Sequence, residues 1–460
     1  MVRLFNHWFH WHRLAKMLFD LSFAIVGMVM VFIWIGSGLP VKREQLALFA
    51  IIFGVSMLAI NIGLGFYQRE QNHSTKELMA RAVLSLYLAV PVAYGIFAFL
   101  PFTTLNRELI QLSAMSAAFG ILINRVASTH SVSPGLLTRR IMVFGTGARA
   151  LEVKRAHEKS NPPSAIIGFF PSPNESTSLV PLDQILSRSA SLCATAQSMK
   201  VEEIVVALTE RRGGSMPLRE LLDCRLQGIR VLDLASYFEQ TLGQIRLDSL
   251  YAGWLVFGEG FRQGYFRTAI KRLSDIIFAS VLLILAAPIM LLTVILIMIE
   301  SGPPVLYRQE RVGLNGRLFN VVKFRSMRRD AEKDGKPIWA TSADSRVTKV
   351  GSIIRKLRID ELPQLFSVLK GDMSLIGPRP ERPFFVDQLT REIPFYAVRH
   401  SVKPGVTGWA QVCYHYGATV EDSAEKLQYD LYYVKNQSLF LDLIILFETV
   451  GVVVTGKGAH

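Results

Sequence analysis

Apolar runs of membrane-spanning length dominate the first part of the chain. They lie at Met17–Leu39, Leu46–Tyr67, Val83–Leu100 and Leu109–Val126. Each run is roughly 18–23 residues long, which is enough for a helix to cross the hydrocarbon core of a bilayer. The pattern therefore predicts a block of four transmembrane helices over residues 1–130.

Basic residues between these runs predict the orientation of the block. They cluster before the first run, between the second and third, and after the fourth, whereas the other loops hold only Lys42, Arg43 and Arg107. Loops rich in lysine and arginine stay in the cytoplasm, so both ends of the block are expected there. Asp20 and Asn61 fall inside the runs, where interhelical hydrogen bonding is the expected role and a polar pathway is the alternative.

A glycine-rich turn follows the next short apolar run. Residues 141–144 have the pattern of a buried strand, and Gly145, Gly147 and Ala150 then form G-x-G-x-x-A ahead of a helical pattern. This is the dinucleotide-binding fingerprint, in which small residues let the backbone approach a diphosphate at a helix N-terminus. A nucleotide site at this turn is therefore one hypothesis for the middle of the chain.

The rest of this region alternates between strand and helix patterns. Further strands are expected at residues 165–170, 203–208 and 229–232. Residues 131–245 are therefore predicted to form a doubly wound, Rossmann-like α/β domain. The acidic residue that usually holds the ribose is missing from its expected place, and Glu175 is the only candidate. A bound nucleotide and a vestigial or regulatory domain both stay open.

A second long apolar segment, residues 276–299, carries basic residues on both flanks. Such flanks disfavour a simple crossing of the membrane. Ala287 and Pro288 lie at its centre, where a proline can break a helix. The segment is predicted to be a re-entrant helical hairpin that enters and leaves on the cytoplasmic side. The alternative is a kinked transmembrane helix, which would place the rest of the chain on the opposite side.

Two adjacent carboxylates stand out in the C-terminal region. Asp360 and Glu361 lie between apolar residues, and Pro363 follows them. Proline is tolerated in the first turn of a helix, so the pattern predicts a helix with Asp360 as its N-cap and Glu361 in its first turn. An ordinary acidic helix start is the alternative interpretation. Carboxylates of this kind can also hold Mg²⁺ together with substrate phosphate oxygens.

Several short motifs around the acidic pair suit phosphate binding. Their arginines and lysines supply cationic donors, and their prolines and glycines mark tight turns that bring backbone groups close to a ligand. With the acidic pair, they indicate phosphoryl transfer from a nucleotide diphosphate beside a membrane. The candidate substrate-binding residues are Gln309, Arg311, Lys323, Arg325, Arg355, Pro378, Arg379 and Pro380.

The composition agrees with a membrane enzyme. The 460 residues are 50% hydrophobic and carry a net charge of +14, which is typical of a membrane protein with cationic loops. Nucleic-acid binding is not expected, because no basic tract interleaved with aromatic residues occurs. The cysteines Cys193, Cys224 and Cys413 lie far apart, without zinc or disulfide spacing. No cleavage site follows the first apolar run, so a cleavable signal peptide is not expected.

From Lys271 onward, the motifs resemble the bacterial sugar transferase family, the monotopic polyprenyl-phosphate phosphoglycosyl transferases. The resemblance implies a membrane protein of mixed α and α/β architecture. Its residues 271–460 would form a monotopic α/β catalytic domain that contains the re-entrant hairpin at 276–299, and residues 246–270 would form a linker before this domain. The helices and Rossmann-like domain before it resemble long-form members that initiate exopolysaccharide synthesis, and the chain end resembles the PEP-CTERM/exosortase-associated subgroup. The matching segments are residues 271–275, 309–311, 323–327, 360–365, 377–380 and 404–409.

The resemblance also implies a two-step reaction. Asp360 would attack the β-phosphate of a UDP-sugar, releasing UMP and holding the phosphosugar as a covalent aspartyl intermediate. Undecaprenyl phosphate would then displace Asp360. Glu361 would bind Mg²⁺, the implied cofactor, and Arg379, with the other candidate arginines, would neutralise phosphate charge.

The same resemblance implies the surroundings of the enzyme. It places the protein in the bacterial inner membrane as a multi-pass protein whose catalytic domain is on the cytoplasmic face. A homo-oligomer and downstream glycosyltransferases are further expected partners, and the sugar, glucose or galactose, stays open. Two other functions stay open. One is an NAD(P)-dependent sugar-nucleotide oxidoreductase, which the missing ribose acid disfavours, and the other is a membrane scaffold for polysaccharide assembly.

Overall fold

The structure is a computed structural model that describes most of the chain after residue 138 and parts of the N-terminal block. Two structural units divide the chain, one mainly residues 66–243 with the preceding helices, and the other mainly residues 244–460. The described residues are 2–4, 7–9, 11–35, 43–64, 66–67, 81–85, 87–89, 91, 115–116, 119–120, 139–160, 164–173, 175, 177–188, 191–208, 216–249, 260–261, 264–328, 346–414, 417 and 419–455.

The N-terminal block contains two long apolar helices, α1 (Trp11–Ile35) and α2 (Arg43–Gly63), at the places of the first two predicted runs. Two short strands, β1 (Val2–Leu4) and β2 (His7–Phe9), precede them. Most of the third and fourth predicted runs lies outside the described residues.

Hydrogen bonds link the two buried polar residues of these helices to neighbouring segments. The Tyr67 hydroxyl donates to Asp20 Oδ2 at 2.5 Å, and Ser85 Oγ donates to Asn61 Oδ1 at 2.7 Å. The bond of Asn61 to Ser85 joins two helical segments, as predicted, whereas Asp20 bonds Tyr67 in the turn that follows α2.

A four-stranded parallel sheet forms the centre of the middle region, in the spatial order β4-β3-β5-β6. Alternate residues of β3 point to opposite faces: Met142 packs with helices on one side, and Val143 packs with helices on the other. This is the predicted doubly wound arrangement, and each predicted strand is present. The strands are β3 (Arg139–Phe144), β4 (Ser164–Phe170), β5 (Glu203–Val206) and β6 (Arg230–Asp233). The helices are α3 (Ala148–Ser160), α4 (Leu192–Ser198), α5 (Leu218–Leu226) and α6 (Leu234–Leu242).

One helix, α7 (Tyr265–Ser301), dominates the second unit. Among the described residues it is the one helix long and apolar enough to cross a membrane. Apolar side chains along its middle, such as Ile284 and Leu291, are largely exposed. The helix continues through Pro288 rather than ending at Ala287, because Pro288 lies inside it. The reversal of direction predicted for this segment stays a prediction.

Both halves of α7 pack against the same unit. Ala279, before the proline, belongs to the main core of this unit. Ile297, after the proline, packs with Phe324 and Ile354 in a smaller cluster. The helix is also anchored by a polar contact, because Lys271 Nζ lies 2.8 Å from Asp442 Oδ2 in a part-buried ion pair.

The remaining elements of the second unit surround the main core. An antiparallel hairpin joins β7 and β8, and β9 pairs in parallel with β10. The strands are β7 (Leu306–Val312), β8 (Leu318–Phe324), β9 (Ser374–Ile376) and β10 (Gly405–Thr407). The helices are α8 (Lys349–Lys356), α9 (Gln364–Lys370), α10 (Pro383–Glu392), α11 (Trp409–Cys413), α12 (Val420–Asn436) and α13 (Leu439–Thr455).

Candidate active site

The acidic pair lies in a short 3₁₀ turn between α8 and α9, at Ile359–Glu361. The backbone of Arg358, just before this turn, is in the left-handed region with a φ of 58°, which turns the chain sharply after α8. Helix α9 begins at Gln364, with Pro363 at its N-cap position. The prediction that Asp360 caps a helix and that Glu361 lies in its first turn is therefore wrong. The reversal at Arg358 places both residues in their own turn, three to four residues before α9.

Two cations converge on Glu361. Lys323 Nζ, from β8, lies 3.0 Å from Glu361 Oε1, and Arg379 Nη2 lies 2.9 Å from the same oxygen. Asp360 and Glu361 are 9% and 7% exposed, so water screens these charges weakly. The hairpin β7–β8, the 3₁₀ turn and the loop after β9 thus bring together four of the predicted site residues.

Burial and charge shift the pKa values of the two acids in opposite directions. Burial alone would raise the pKa of Glu361, but the charges of Arg379 and Lys323 outweigh burial and hold the pKa far below its usual value. Burial, and then the charge of Glu361, raises the pKa of Asp360. Glu361 is therefore a fixed anion, whereas Asp360 is the more basic carboxylate and the better nucleophile once ionised.

Burial also lowers the pKa of Lys323, and the charge of Glu361 opposes this effect. The Lys323 side chain is 22% exposed, so its ammonium group is only partly hydrated and depends on its counterion. Lys323 and Glu361 are therefore an interdependent pair, and removing the carboxylate leaves a largely buried cation without its main compensation.

Backbone hydrogen bonds fix the loop that carries Arg379. Four consecutive carbonyl oxygens of this loop each accept a hydrogen bond, two of them from adjacent residues of β7 and two from other segments of the unit, so the loop has little freedom to move. The bonds are Gly405 N to Pro378 O at 3.0 Å, Arg399 Nη2 to Arg379 O at 2.9 Å, Arg311 Nη1 to Pro380 O at 3.1 Å, and Val312 N to Glu381 O at 3.0 Å. The predicted residues Pro378 and Pro380 thus contribute their carbonyl groups to the loop's support.

The loop also requires two glycines. A Cβ atom on Gly377 would lie 2.2 Å from Lys403 O, and a Cβ atom on Gly405 would lie 2.1 Å from Gly377 N. Because such distances are shorter than any allowed contact, a side chain at either position would push the loop away from β10. This close approach explains why the motifs around Pro378 and Pro404 each contain a glycine.

Arg311 and Gln309 belong to the rim of the same site. Arg311 Nη2 donates to Gln309 Oε1 at 2.6 Å, and its Nη1 lies 3.4 Å from Glu381 Oε2. Burial lowers the pKa of Arg311, and the positive charge of Arg379 contributes to the shift. Arg311 therefore acts electrostatically on the site while Gln309 orients its guanidinium group.

Arg325 has a different role from the one predicted. Its guanidinium group is buried and donates to Ser301 O at 3.1 Å and to Ser301 Oγ at 2.7 Å, with a further bond to Gly302 O. These groups form the C-terminal end of α7, where a cation is favourable. Arg325 therefore holds the end of α7, and the prediction that it neutralises substrate phosphate is not supported by this geometry.

Arg358 is the site residue that the sequence prediction missed. Its charge lowers the pKa of both Asp360 and Glu361, whereas the predicted Arg355 lies in the last turn of α8. The available signal was its position, two residues before Asp360. Sequence spacing could not show that a left-handed turn brings Arg358 rather than Arg355 towards the carboxylates.

The two carboxylates fit the donor set that Mg²⁺ prefers. In the part of the chain that the structure describes, no group of three or more histidine, cysteine, aspartate or glutamate side chains could hold a metal ion. Mg²⁺ commonly uses one or two carboxylates and completes its shell with water and substrate phosphate oxygens. Both cations contact Oε1 of Glu361, so Asp360 and Glu361 Oε2 are the oxygens that would hold the metal.

The glycine turn of the middle domain has an internal carboxylate beside it. Gly145 has a φ of 123°, and a Cβ atom there would lie 2.7 Å from Ala207 O. Thr146 N donates to Glu175 Oε2 at 2.6 Å, and Thr146 Oγ1 lies 3.3 Å from the same oxygen. Glu175 therefore binds the loop itself and is not placed as a ribose-binding acid.

The fold and this site define a class: an α/β protein with a long, exposed apolar helix and a buried carboxylate pair matched by cations. The family model for bacterial sugar transferases matches residues 266–456. The chain is 42% identical over 193 residues to a UDP-glucose:undecaprenyl-phosphate glucose-1-phosphate transferase of Caulobacter vibrioides, covering 41% of this chain and 72% of that protein. The chain belongs to the bacterial sugar transferase family.

Two further relatives carry different sugars in their names. A UDP-N-acetylgalactosamine-undecaprenyl-phosphate N-acetylgalactosaminephosphotransferase of Aeromonas hydrophila is 47% identical over 242 residues, covering 53% of this chain. A UDP-glucose:undecaprenyl-phosphate glucose-1-phosphate transferase of Klebsiella pneumoniae is 46% identical over 182 residues, covering 39% of this chain. The chain spans 56% of the first protein and 39% of the second.

Proposed function

We propose that this protein transfers a sugar 1-phosphate from a UDP-sugar to undecaprenyl phosphate and releases UMP. The observation that carries the proposal is the buried pair Asp360–Glu361 with Lys323 and Arg379 on one oxygen of Glu361. The named activities of the relatives agree with this chemistry. We propose that this transfer is the first membrane-bound step of exopolysaccharide or capsule synthesis.

In the first half-reaction, an Asp360 carboxylate oxygen attacks the β-phosphorus of the UDP-sugar. A new O–P bond forms, the bond between the β-phosphorus and the bridging oxygen breaks, and UMP leaves with that oxygen. The phosphosugar stays on Asp360 as an acyl phosphate. The raised pKa of Asp360 favours this role, because a more basic carboxylate is a stronger nucleophile.

In the second half-reaction, a phosphate oxygen of undecaprenyl phosphate attacks the same phosphorus. The bond to Asp360 breaks, the carboxylate is regenerated, and the product is undecaprenyl diphosphate-sugar. Lys323, Arg358 and Arg379 stabilise the negative charge that the phosphates bring into a site with little water. When bound, Mg²⁺ would supply further neutralisation of the diphosphate.

The exposed middle of α7 supports a membrane location for this chemistry. Both halves of the helix pack on the catalytic unit, Ala279 in its main core and Ile297 in the smaller cluster. Contacts on both sides of an exposed middle support a re-entrant segment bent near Pro288, with the site at the level of the lipid phosphate. We extend the proposal to this topology and to the cytoplasmic face of the inner membrane.

The middle domain gives little support to the oxidoreductase alternative. The contact between Glu175 and Thr146 N occupies a backbone donor that a dinucleotide phosphate would use. No observation specifically favours a scaffold as the sole function. The sugar phosphate transferase is therefore the function that the site supports best.

UMP release tests the proposal. Protein in lipid nanodiscs is incubated with Mg²⁺ and undecaprenyl phosphate, with UDP-glucose, UDP-galactose or UDP-N-acetylgalactosamine as donor. We expect one donor to give a single equivalent of UMP without the lipid and repeated turnover only with it, and we expect Asp360→Asn and Glu361→Gln to lose both. Full activity of Asp360→Asn would contradict the proposed nucleophile, and the absence of UMP with every donor would contradict the donor class.

A further inference from the structure

We propose that Arg399, held by Asp430, is a positioning residue that fixes Arg379 against Glu361. The inference rests on the proposed function and assigns a role to two residues that do not themselves contact the acidic pair in the described structure. Arg399 lies in a 3₁₀ segment before β10, and Asp430 lies in α12.

Arg399 holds the loop by a backbone contact. Its Nη2 donates to Arg379 O at 2.9 Å, while the side chain of Arg379 reaches Glu361 Oε1 at 2.9 Å. Arg379 thus accepts a hydrogen bond at its carbonyl group and contacts Glu361 with its guanidinium group. A shift of the carbonyl group moves the origin of the Arg379 side chain and alters its contact with Glu361.

Asp430 fixes Arg399 in turn. Arg399 Nη2 lies 2.8 Å from Asp430 Oδ2, and both side chains are almost completely buried. Arg399 Nη1 also donates to the Tyr396 hydroxyl at 2.6 Å, and the guanidinium carbon lies 5.1 Å from the centre of the Tyr396 ring. The planar guanidinium is therefore restrained on several sides at once.

A buried ion pair alone would not require this arrangement. Taking two charges out of water costs about as much as their attraction returns, so a well-packed apolar pair can stabilise a fold equally well. An apolar side chain at position 399 could not donate to Arg379 O. The carbonyl contact is therefore the feature that distinguishes a positioning role from a purely structural one.

Lysine and arginine differ in the way this role demands. Arginine offers several donors in a fixed plane, so Arg399 bonds Asp430, Arg379 O and Tyr396 together. In Arg399→Lys the charge stays, but a single ammonium group on a flexible chain cannot reproduce all three contacts. The variant therefore tests the geometry while it keeps the ion pair with Asp430.

The first test is the rate of UMP release by Arg399→Lys under the conditions that give turnover with the unchanged protein. We expect kcat to fall by about tenfold to a hundredfold, because small displacements of a positioning group cost rate, with a much smaller change in KM for the donor. Tyr396→Phe is the matched control: it removes one contact of Arg399 but leaves the bond to Arg379 O. Its kcat should stay within about threefold of the original.

A double-variant cycle separates positioning from structure. If Arg399 acts through Arg379, then Arg379→Ala already removes the benefit, and the Arg379→Ala/Arg399→Lys double variant should be no more than about threefold slower than Arg379→Ala. A double variant whose loss in kcat equals the product of the two single-variant losses would overturn the inference, as would an unchanged kcat in Arg399→Lys. If Arg399→Lys does not fold, Asp430→Asn takes its place in the same cycle. Failure of the unchanged protein to release UMP would instead contradict the proposed function.

Discussion

The charge on Lys323 should set the pH at which Asp360 becomes active. The charge of Lys323 lowers the pKa of Asp360, and its Nζ lies 3.0 Å from Glu361 Oε1, on the neighbouring residue. At an effective dielectric constant of ~20, two unit charges interact by about 4 kcal/mol at ~4 Å and by proportionally less at larger separations, so removing one charge from a site of this kind can matter by a few kcal/mol. Lys323→Met, which removes the charge but keeps the length, should therefore raise the pKa of Asp360 further.

The sign of the effect follows from the role of Asp360. The nucleophile must be ionised, so activity is lost as the pH falls through its pKa. Raising that pKa moves the acid limb of the pH–rate profile to higher pH. We expect a shift of about one to two pH units in Lys323→Met, given that partial exposure to water weakens the Coulomb contribution.

The assay is the single-turnover release of UMP without lipid acceptor, measured from pH 5 to pH 9. Omitting the lipid removes the ionisation of its phosphate from the profile. Lys323→Arg is the control, because it keeps the charge and should keep the acid limb near its original pH. An acid limb of Lys323→Met that stays in place or moves to lower pH would refute this account of the electrostatics.

Three further predictions concern other parts of the chain. Arg325→Met should lower the free energy of unfolding by about 2–3 kcal/mol, because carbonyl groups at the end of α7 lose a charged hydrogen-bond donor, and it should leave KM for the UDP-sugar unchanged. Thermal unfolding in nanodiscs and steady-state kinetics check the two expectations, and a raised KM would contradict the structural role of Arg325. The unfolding temperature of the unchanged protein should not shift with NAD or NADP, because the Glu175 carboxylate occupies the glycine turn. A clear rise in the unfolding temperature that is lost in Gly145→Ala would contradict this prediction. Arg267→Cys and Arg308→Cys, made singly in a cysteine-free background, should react with an impermeant maleimide from the same side of the membrane, because the proposed hairpin would return α7 to its side of entry. Reaction from opposite sides would exclude the hairpin.

Local sequence patterns predicted the parts of the site that lie within one motif. Asp360 and Glu361 are adjacent, and Arg379 stands in a proline-rich turn that needs no long-range information to recognise. The strands of the middle domain were also predictable, because short apolar runs between helical patterns indicate a parallel sheet. The geometry around Arg358 was not predictable, since a left-handed turn at an arginine is a rare local conformation.

Contacts between distant segments were beyond sequence reasoning. Arg325 has the residue type expected for phosphate binding, but the fold places the end of α7 beside it. Glu175 lies 29 residues after Thr146 and reaches it only because β3 and β4 are neighbours in the sheet. Arg399 and Asp430 show no local pattern that relates either of them to Arg379. In each case the residue type indicated the kind of contact, but only the tertiary structure shows which group the residue contacts.

The covalent intermediate on Asp360 is the central claim, and trapping it is the most direct test. Protein in nanodiscs is incubated with Mg²⁺ and the active UDP-sugar, labelled at the β-phosphate, without lipid acceptor. We predict a labelled protein whose phosphosugar maps to the peptide containing Asp360, disappears on adding undecaprenyl phosphate, and never forms in Asp360→Asn. Release of UMP only when the lipid is present, with no labelled protein at any time, would contradict the two-step mechanism.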